Sequence, residues 1–209
     1  MRIKSFLGLT LVVLFAGVAD RALAQSVPAA SGGGTSDRPL AVGAGISGYN
    51  PDRGGGHILG GTLWIDYRLP RVPGILRGIG IEVEASDLNY GRSSSLSSQS
   101  PNLRQDYARG GVIYSWPHYH NFRPYGKFEI GYGNQDATAW GGRRIHDSRT
   151  VTSIGGGVDY RIFRSVWLRA DYEYQKWPDM FHKYNIYGVS KPAGSTHPQG
   201  ITVGALYHF

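Results

Sequence analysis

Ionisable residues recur two apart through most of this chain: Asp66 and Arg68, Glu82 and Glu84, Lys127 and Glu129, Asp159 and Arg161, then Arg169, Asp171 and Glu173, with Arg109 alone. In an extended strand, residues two apart point to the same face. Carboxylates and cations gathered on one face can pair into a salt-bridge network or line a path for ions. If that face is closed off from water the ions must pair or stay hydrated, because an isolated buried charge is heavily penalised. The expected ladder has Arg109, Lys127, Arg161 and Arg169 contacting Glu82, Glu84, Glu129, Asp159, Asp171 or Glu173.

The elements that carry these pairs have a strict period of two. Eight strands are expected, over 39–49, 57–68, 77–89, 104–116, 123–133, 150–162, 166–177 and 199–209. The face opposite the charges is apolar: Leu59, Leu63, Ile65 and Tyr67; Ile79, Ile81 and Val83; Val112, Tyr114 and Trp116; Phe128, Ile130 and Tyr132; Ile154, Val158 and Tyr160; Leu168, Tyr172 and Tyr174; Ile201, Val203, Tyr207 and Phe209. Such alternation suits a soluble sandwich or lipocalin-like barrel as well as a membrane barrel. Three features favour the membrane. Connections alternate in length, short around 70–74, 117–122 and 163–165 and long over 90–103, 134–149 and 178–198, as turns and loops do in outer-membrane barrels; the first link, 50–56, breaks the contrast by being fairly short. Aromatics such as Tyr67, Tyr114, Trp116, Tyr160, Trp167 and Trp177 lie near strand ends, where amphipathic rings meet a bilayer interface. The chain also closes on a strand, 202–209.

The first residues bear on compartment. Arg2 and Lys4 precede the apolar run 6–18, and Ala22-Leu23-Ala24 has the small-x-small pattern of a signal-peptidase site. Residues 1–24 are expected to be a cleaved secretory signal peptide, 25–38 a flexible Ser/Gly/Ala/Pro-rich segment and 39–209 the barrel domain. Composition agrees: 31 Gly, 14 Tyr and 5 Trp against 2 Met suit strands and turns. No Cys is present, so an exported chain cannot lean on disulfides. Loss of Arg2, Lys4, Asp20 and Arg21 lowers the formal charge from +7 to +5. The basic residues are spread rather than clustered, which argues for anionic headgroups and lipopolysaccharide as neighbours and against nucleic acid.

The segments 121–128 (NFRPYGKF), 155–161 (GGGVDYR) and 168–174 (LRADYEY) resemble the OmpA-like family of eight-stranded outer-membrane β-barrel domains, which includes small porin-like and opacity-type surface proteins. The end of the chain is similar to the C-terminal β-signal of such barrels, with Thr202, Gly204, Tyr207 and Phe209 at the matching positions. The resemblance covers nearly all of the expected mature chain. It implies an all-β, antiparallel up-and-down transmembrane barrel in the bacterial outer membrane, delivered through the barrel-assembly machinery by its C-terminal strand. No peptidoglycan-binding domain follows 209, so a wall-anchoring role is not expected.

Seven carboxylates and five cations on the ionic rows would be costly if they faced lipid, since one Arg or Lys at the midplane costs about 2–4 kcal/mol. These rows are therefore assigned to the lumen, which in an eight-stranded barrel is only wide enough to be filled by side chains. Other chemistries find little support. His118 and His120 lie two apart in a turn with no third ligand beside them, so no metal site is assigned. The glycines Gly43, Gly45, Gly60, Gly61, Gly110, Gly111 and 155–157 precede no helix and read as space for Tyr and Trp rings rather than a phosphate loop. Serines concentrate in 93–100 without an acid–histidine partner, and no Ser–His pair is assigned to the lipid-facing rows, where a lipid hydrolase of this size would carry it. The long link holding Met180, Phe181, His182, Lys183, Tyr184, Ile186 and Tyr187 either folds over the barrel mouth or meets a partner or lipopolysaccharide. The reading is a monomeric, non-enzymatic scaffold that presents surface loops and has no catalytic residue, cofactor or metal. A narrow pore for small solutes and a lipid-modifying enzyme stand as alternatives.

Overall fold

Strands rich in Val, Ile, Tyr and Trp with charges on alternate positions can satisfy their backbones within lipid only by closing into a ring. The computed structural model describes residues 38–52, 57–70, 72–89, 103–117, 119–138, 144–178 and 194–209. The expected leader, the N-terminal segment as far as residue 37, the serine run 93–100 and the aromatic link 180–187 lie outside the described residues. The strands are β1 (Leu40–Asn50), β2 (Ile58–Arg68), β3 (Ile79–Asn89), β4 (Leu103–Ser115), β5 (Phe122–Thr138), β6 (Arg144–Arg161), β7 (Val166–Lys176) and β8 (Gln199–His208). Each pairs antiparallel with the next, and β8 returns to β1 with Ala44 opposite Ala205, which closes the barrel. Closure leaves no free edge within the ring, while among the described residues the β6 stretch ahead of Thr152 projects beyond β7 and is paired to β5 alone.

Side-chain direction follows the alternation. Ile46, Leu63, Val83, Phe128, Ile154 and Val203 face outward and are at least half exposed, whereas Glu82, Glu129, Asp159 and Arg169 face inward and are buried. The three short connections, near 69–78, 116–121 and 162–165, share the end of the barrel where Phe209 N–H donates to the Leu40 carbonyl. One of them is a tight turn in which Tyr119 and Phe122 exchange both backbone hydrogen bonds and His120 takes a positive φ of 57°.

One expected boundary is corrected. The stretch 134–149 is not a long loop: β5 and β6 stay paired from Asn134↔Ser148 through Asp136↔His146 to Thr138↔Arg144. Asn134, Gln135 and Asp136 on β5 and His146, Asp147 and Ser148 on β6 are polar on both rows, so the apolar–ionic alternation that marks a membrane strand stops while the backbone ladder continues.

Candidate functional site

The inward rows meet in one ionic layer. Lys127, on β5, places its Nζ 2.9 Å from Glu82, 2.7 Å from Glu84, 2.7 Å from Asp171 and 2.7 Å from Glu173. Arg109, on β4, donates to Glu84 at 2.6 Å and Glu173 at 2.7 Å, with Glu129 3.5 Å away. Arg169, on β7, bridges Asp66 at 2.7 Å, Glu82 at 2.6 Å and Asp159 at 2.8 Å. The expected ladder partners thus come together, with one correction. Arg161 is half-buried at the short-turn mouth and donates to Asn121 Oδ1 at 3.2 Å, because it ends β6 beyond the ionic layer. Arg123, one strand over and not among the expected ladder residues, lies 2.9 Å from Asp159.

Carboxylate oxygens of Glu82, Glu84 and Glu129, and of Glu84, Asp171 and Glu173, come within 4.8 Å of one another, a spacing that could hold an ion. Both groups already surround the Lys127 ammonium. Among the described residues seven buried carboxylates share the lumen with the five cations Arg68, Arg109, Arg123, Lys127 and Arg169. Carboxylates outnumber cations there, and Glu129 Oε1 and Asp171 Oδ1 are left without a hydrogen bond, as are Nε and Nη1 of Arg109.

Apolar layers close the ionic one on both sides. Toward the long connections Tyr49, Ile58, Leu88, Tyr107, Val151 and Trp177 pack together, and toward the short turns Ala41, Trp64, Trp167 and Leu206 do. The layers are bonded to each other: Tyr49 donates to Glu173 at 2.8 Å, Tyr107 lies 4.1 Å under the Arg109 guanidinium, and Arg123 lies 4.1 Å over Trp167. Trp167 and Trp177, expected in the interfacial girdle, are instead inside, 6% and 0% exposed. The alternation that sends Arg169 inward also sends 167 and 177 inward, which is the signal that locates them. The glycines make the room. A Cβ on Gly45 or Gly204 would stand 2.8 or 2.6 Å from the Trp64 ring, and one on Gly133 would stand 2.8 Å from Trp177. The girdle itself is formed by outward rings such as Trp116 against Tyr114, Phe122 against Tyr160 and Tyr207 against Phe209. Tyr207 and Phe209 of the C-terminal motif thus face outward, Thr202 binds Ser47 in the lumen at 2.7 Å, and Gly204 borders Trp64. His208, inward as its parity requires, packs 5.1 Å from Trp167.

The outer face holds a second group of polar side chains that the sequence reading missed. The extended β5–β6 hairpin places Asn134 and Asp136 beside Ser148 and His146, all on the outward rows and above Tyr132, Ile130 and Phe128. The expectation that no Ser–His pair lies on those rows is therefore overturned. It rested on ending the strands at 133 and 150. Carrying the parity of Ile154 back along β6 leads to 148 and 146.

A closed barrel with a buried ionic lumen and an apolar, aromatic-rimmed outside is the architecture of a membrane-spanning barrel. The model of the outer membrane protein beta-barrel domain family matches residues 10–209. The chain belongs to this family. Members of it lie in the bacterial outer membrane, with short turns in the periplasm and longer loops outside. Solved structures share the fold at low identity. Neisserial surface protein A superposes with a TM-score of 0.55 at 14% identity, over 81% of this chain and 96% of that one. A major outer membrane protein from Thermus thermophilus gives 0.55 at 13%, over 81% and 99%. The attachment invasion locus protein Ail of Yersinia pestis gives 0.51 at 18%, over 81% and 96%. No protein with a curated function matches the chain in sequence.

Proposed function

We propose that this barrel is a monomeric, non-conducting scaffold that holds its long-loop end at the cell surface for contact with partners and lipopolysaccharide. The observation that carries this reading is the layering of the lumen, where charges are bonded to one another between two apolar plugs. An ion crossing it would have to displace Trp177 and Tyr49, break the Lys127 contacts and then displace Trp64 and Trp167. A substrate has no way in, so any chemistry belongs to the outer face or the loops. A solved complex of Ail contains the heparin analogue sucrose octasulfate, which makes sulfated saccharide a suitable first probe of surface contact for this chain.

Two parts of the reading concern biogenesis. Residues 1–24 are removed on export, and Thr202, Gly204, Tyr207 and Phe209 are recognised by the barrel-assembly machinery. Phe209→Ala should lower the amount of folded protein in the outer membrane while leaving refolding in detergent micelles intact. The central test is planar-bilayer recording of the refolded full chain. Silence is expected. Steady unitary currents altered by Glu82→Gln or Arg109→Gln would replace this reading with the narrow-pore alternative.

A further inference from the structure

On the outward face of the β5–β6 hairpin, Ser148 Oγ lies 3.2 Å from His146 Nε2, and His146 Nδ1 lies 2.6 Å from Asp136 Oδ1. These are the contacts that activate a serine: the carboxylate holds the imidazole with its proton on Nδ1, leaving Nε2 to take the hydroxyl proton. The three residues stand on paired strands, not on loops. Asp136 is the cross-strand partner of His146, and Ser148 is two residues along from it, so the ladder itself fixes their spacing. His146 and Asp136 are open to solvent, at 64% and 54% exposed, and Ser148 is half-buried beside them.

Their position suits a lipid substrate. Following the same outward rows toward the membrane, the next pairs are Tyr132↔Thr150, Ile130↔Thr152 and Phe128↔Ile154. Tyr132, Ile130, Phe128 and Ile154 are all exposed to lipid. At about 3.3 Å per residue, Ser148 stands about 7 Å along the strand from Thr150, so the apolar outward row begins within a few residues of the site. We propose that Ser148, His146 and Asp136 form a catalytic triad that hydrolyses ester-linked acyl chains of lipids in the outer leaflet. This goes beyond the scaffold reading and depends only on the barrel's spanning the outer membrane.

The chemistry needs no reactant other than water. Ser148 Oγ attacks the ester carbonyl as its proton passes to His146 Nε2. The tetrahedral intermediate collapses, the C–O bond to the lipid breaks, and the leaving alkoxide takes that proton. Water, deprotonated by the same nitrogen, then attacks the acyl-serine, releasing a fatty acid and returning the proton to Ser148. Ser148 Oγ donates to Asn134 Oδ1 at 2.6 Å, so the attack requires the hydroxyl to swing its proton from Asn134 to His146 Nε2. A purely structural reading of the same contacts is a cross-strand hydrogen-bond cluster, for which the serine would be chemically inert.

The test uses the full chain refolded in detergent micelles with p-nitrophenyl decanoate, then in vesicles of phosphatidylethanolamine and lipopolysaccharide with released fatty acid measured by mass spectrometry. Labelling with a fluorophosphonate probe and peptide mapping reports on the nucleophile directly. The expected result is ester cleavage with the label on Ser148, lost in Ser148→Ala and reduced by roughly 10³–10⁴-fold in Asp136→Asn if the carboxylate has its usual orienting role. All variants should keep the heat-dependent gel shift of a folded barrel, because none of these side chains packs in the lumen. Absence of both cleavage and labelling in a wild-type sample that passes the gel-shift check overturns the proposal. So does activity or labelling that survives Ser148→Ala. Neither result bears on lumen conductance, so the scaffold reading stands or falls separately.

Discussion

The lumen and the outer rim of the β5–β6 hairpin use the same side-chain chemistry for opposite ends. In the lumen, Lys127 is held by four carboxylates at 2.9 Å or less, and Arg169 by three. Lys127, Arg109 and Arg169 each have several carboxylates around them and little or no solvent, so their charge is spent on holding the lumen together. On the rim, His146 has a single carboxylate and a single hydroxyl beside it, and solvent reaches both His146 and Asp136. Dense pairing in a dry space makes charge structural, whereas sparse pairing at a wet surface leaves it available for reaction.

The comparison can be broken most severely at Lys127. Lys127→Met leaves four carboxylates facing one another, and by analogy with other buried ion pairs the loss should be about 3–5 kcal/mol. Urea unfolding in micelles, followed by the gel shift, measures it. A loss of under about 1 kcal/mol would mean that water or bound ions carry part of the lumen's charge balance. Gly133→Val comes next. The added methyls meet the Trp177 ring and Val151, and overpacking of this kind costs about 1–3 kcal/mol, readable as a lower denaturation midpoint. Glu129→Gln sharpens the contrast within the lumen. Its Oε1 is unpartnered and its ion contacts are long, at 3.5 and 3.7 Å, so the cost should stay under about 1 kcal/mol, well below that of Lys127→Met. Equal costs would show that the lumen is not short of cations. The smallest effect on stability is expected at the rim, where Ser148→Ala should shift unfolding by no more than about 0.5 kcal/mol. If it destabilises as strongly as Gly133→Val, the cluster is structural and the contrast between the two regions disappears.

Much of the barrel was legible in the chain because lipid imposes a simple rule on strands. Every second residue must be apolar, so the outward rows and the inward ionic rows could be written down from parity, and the expected partners of Arg109, Lys127 and Arg169 followed. Parity says nothing about depth. It cannot tell that Arg161 lies past the ionic layer at the mouth while Arg123 lies within it, since both point inward. Nor does residue type separate an interfacial Trp from a plugging one: Trp116 and Trp167 lie near the same end of the barrel and differ only in parity. The rim was illegible for a different reason. Asn134 to Asp136 and His146 to Ser148 are polar on both rows, so these segments have no apolar–polar alternation to read.

By itself, then, the sequence determined the strand count, the face each residue takes and the membrane into which the barrel goes, because those follow from local periodicity and the solvent it must match. Only the tertiary structure decided which charges meet across the lumen, which rings seal it and how far β5 and β6 reach beyond the bilayer. Those outcomes depend on stagger between strands and on space around the closed ring. Both are properties of the assembled sheet, and no single strand encodes them.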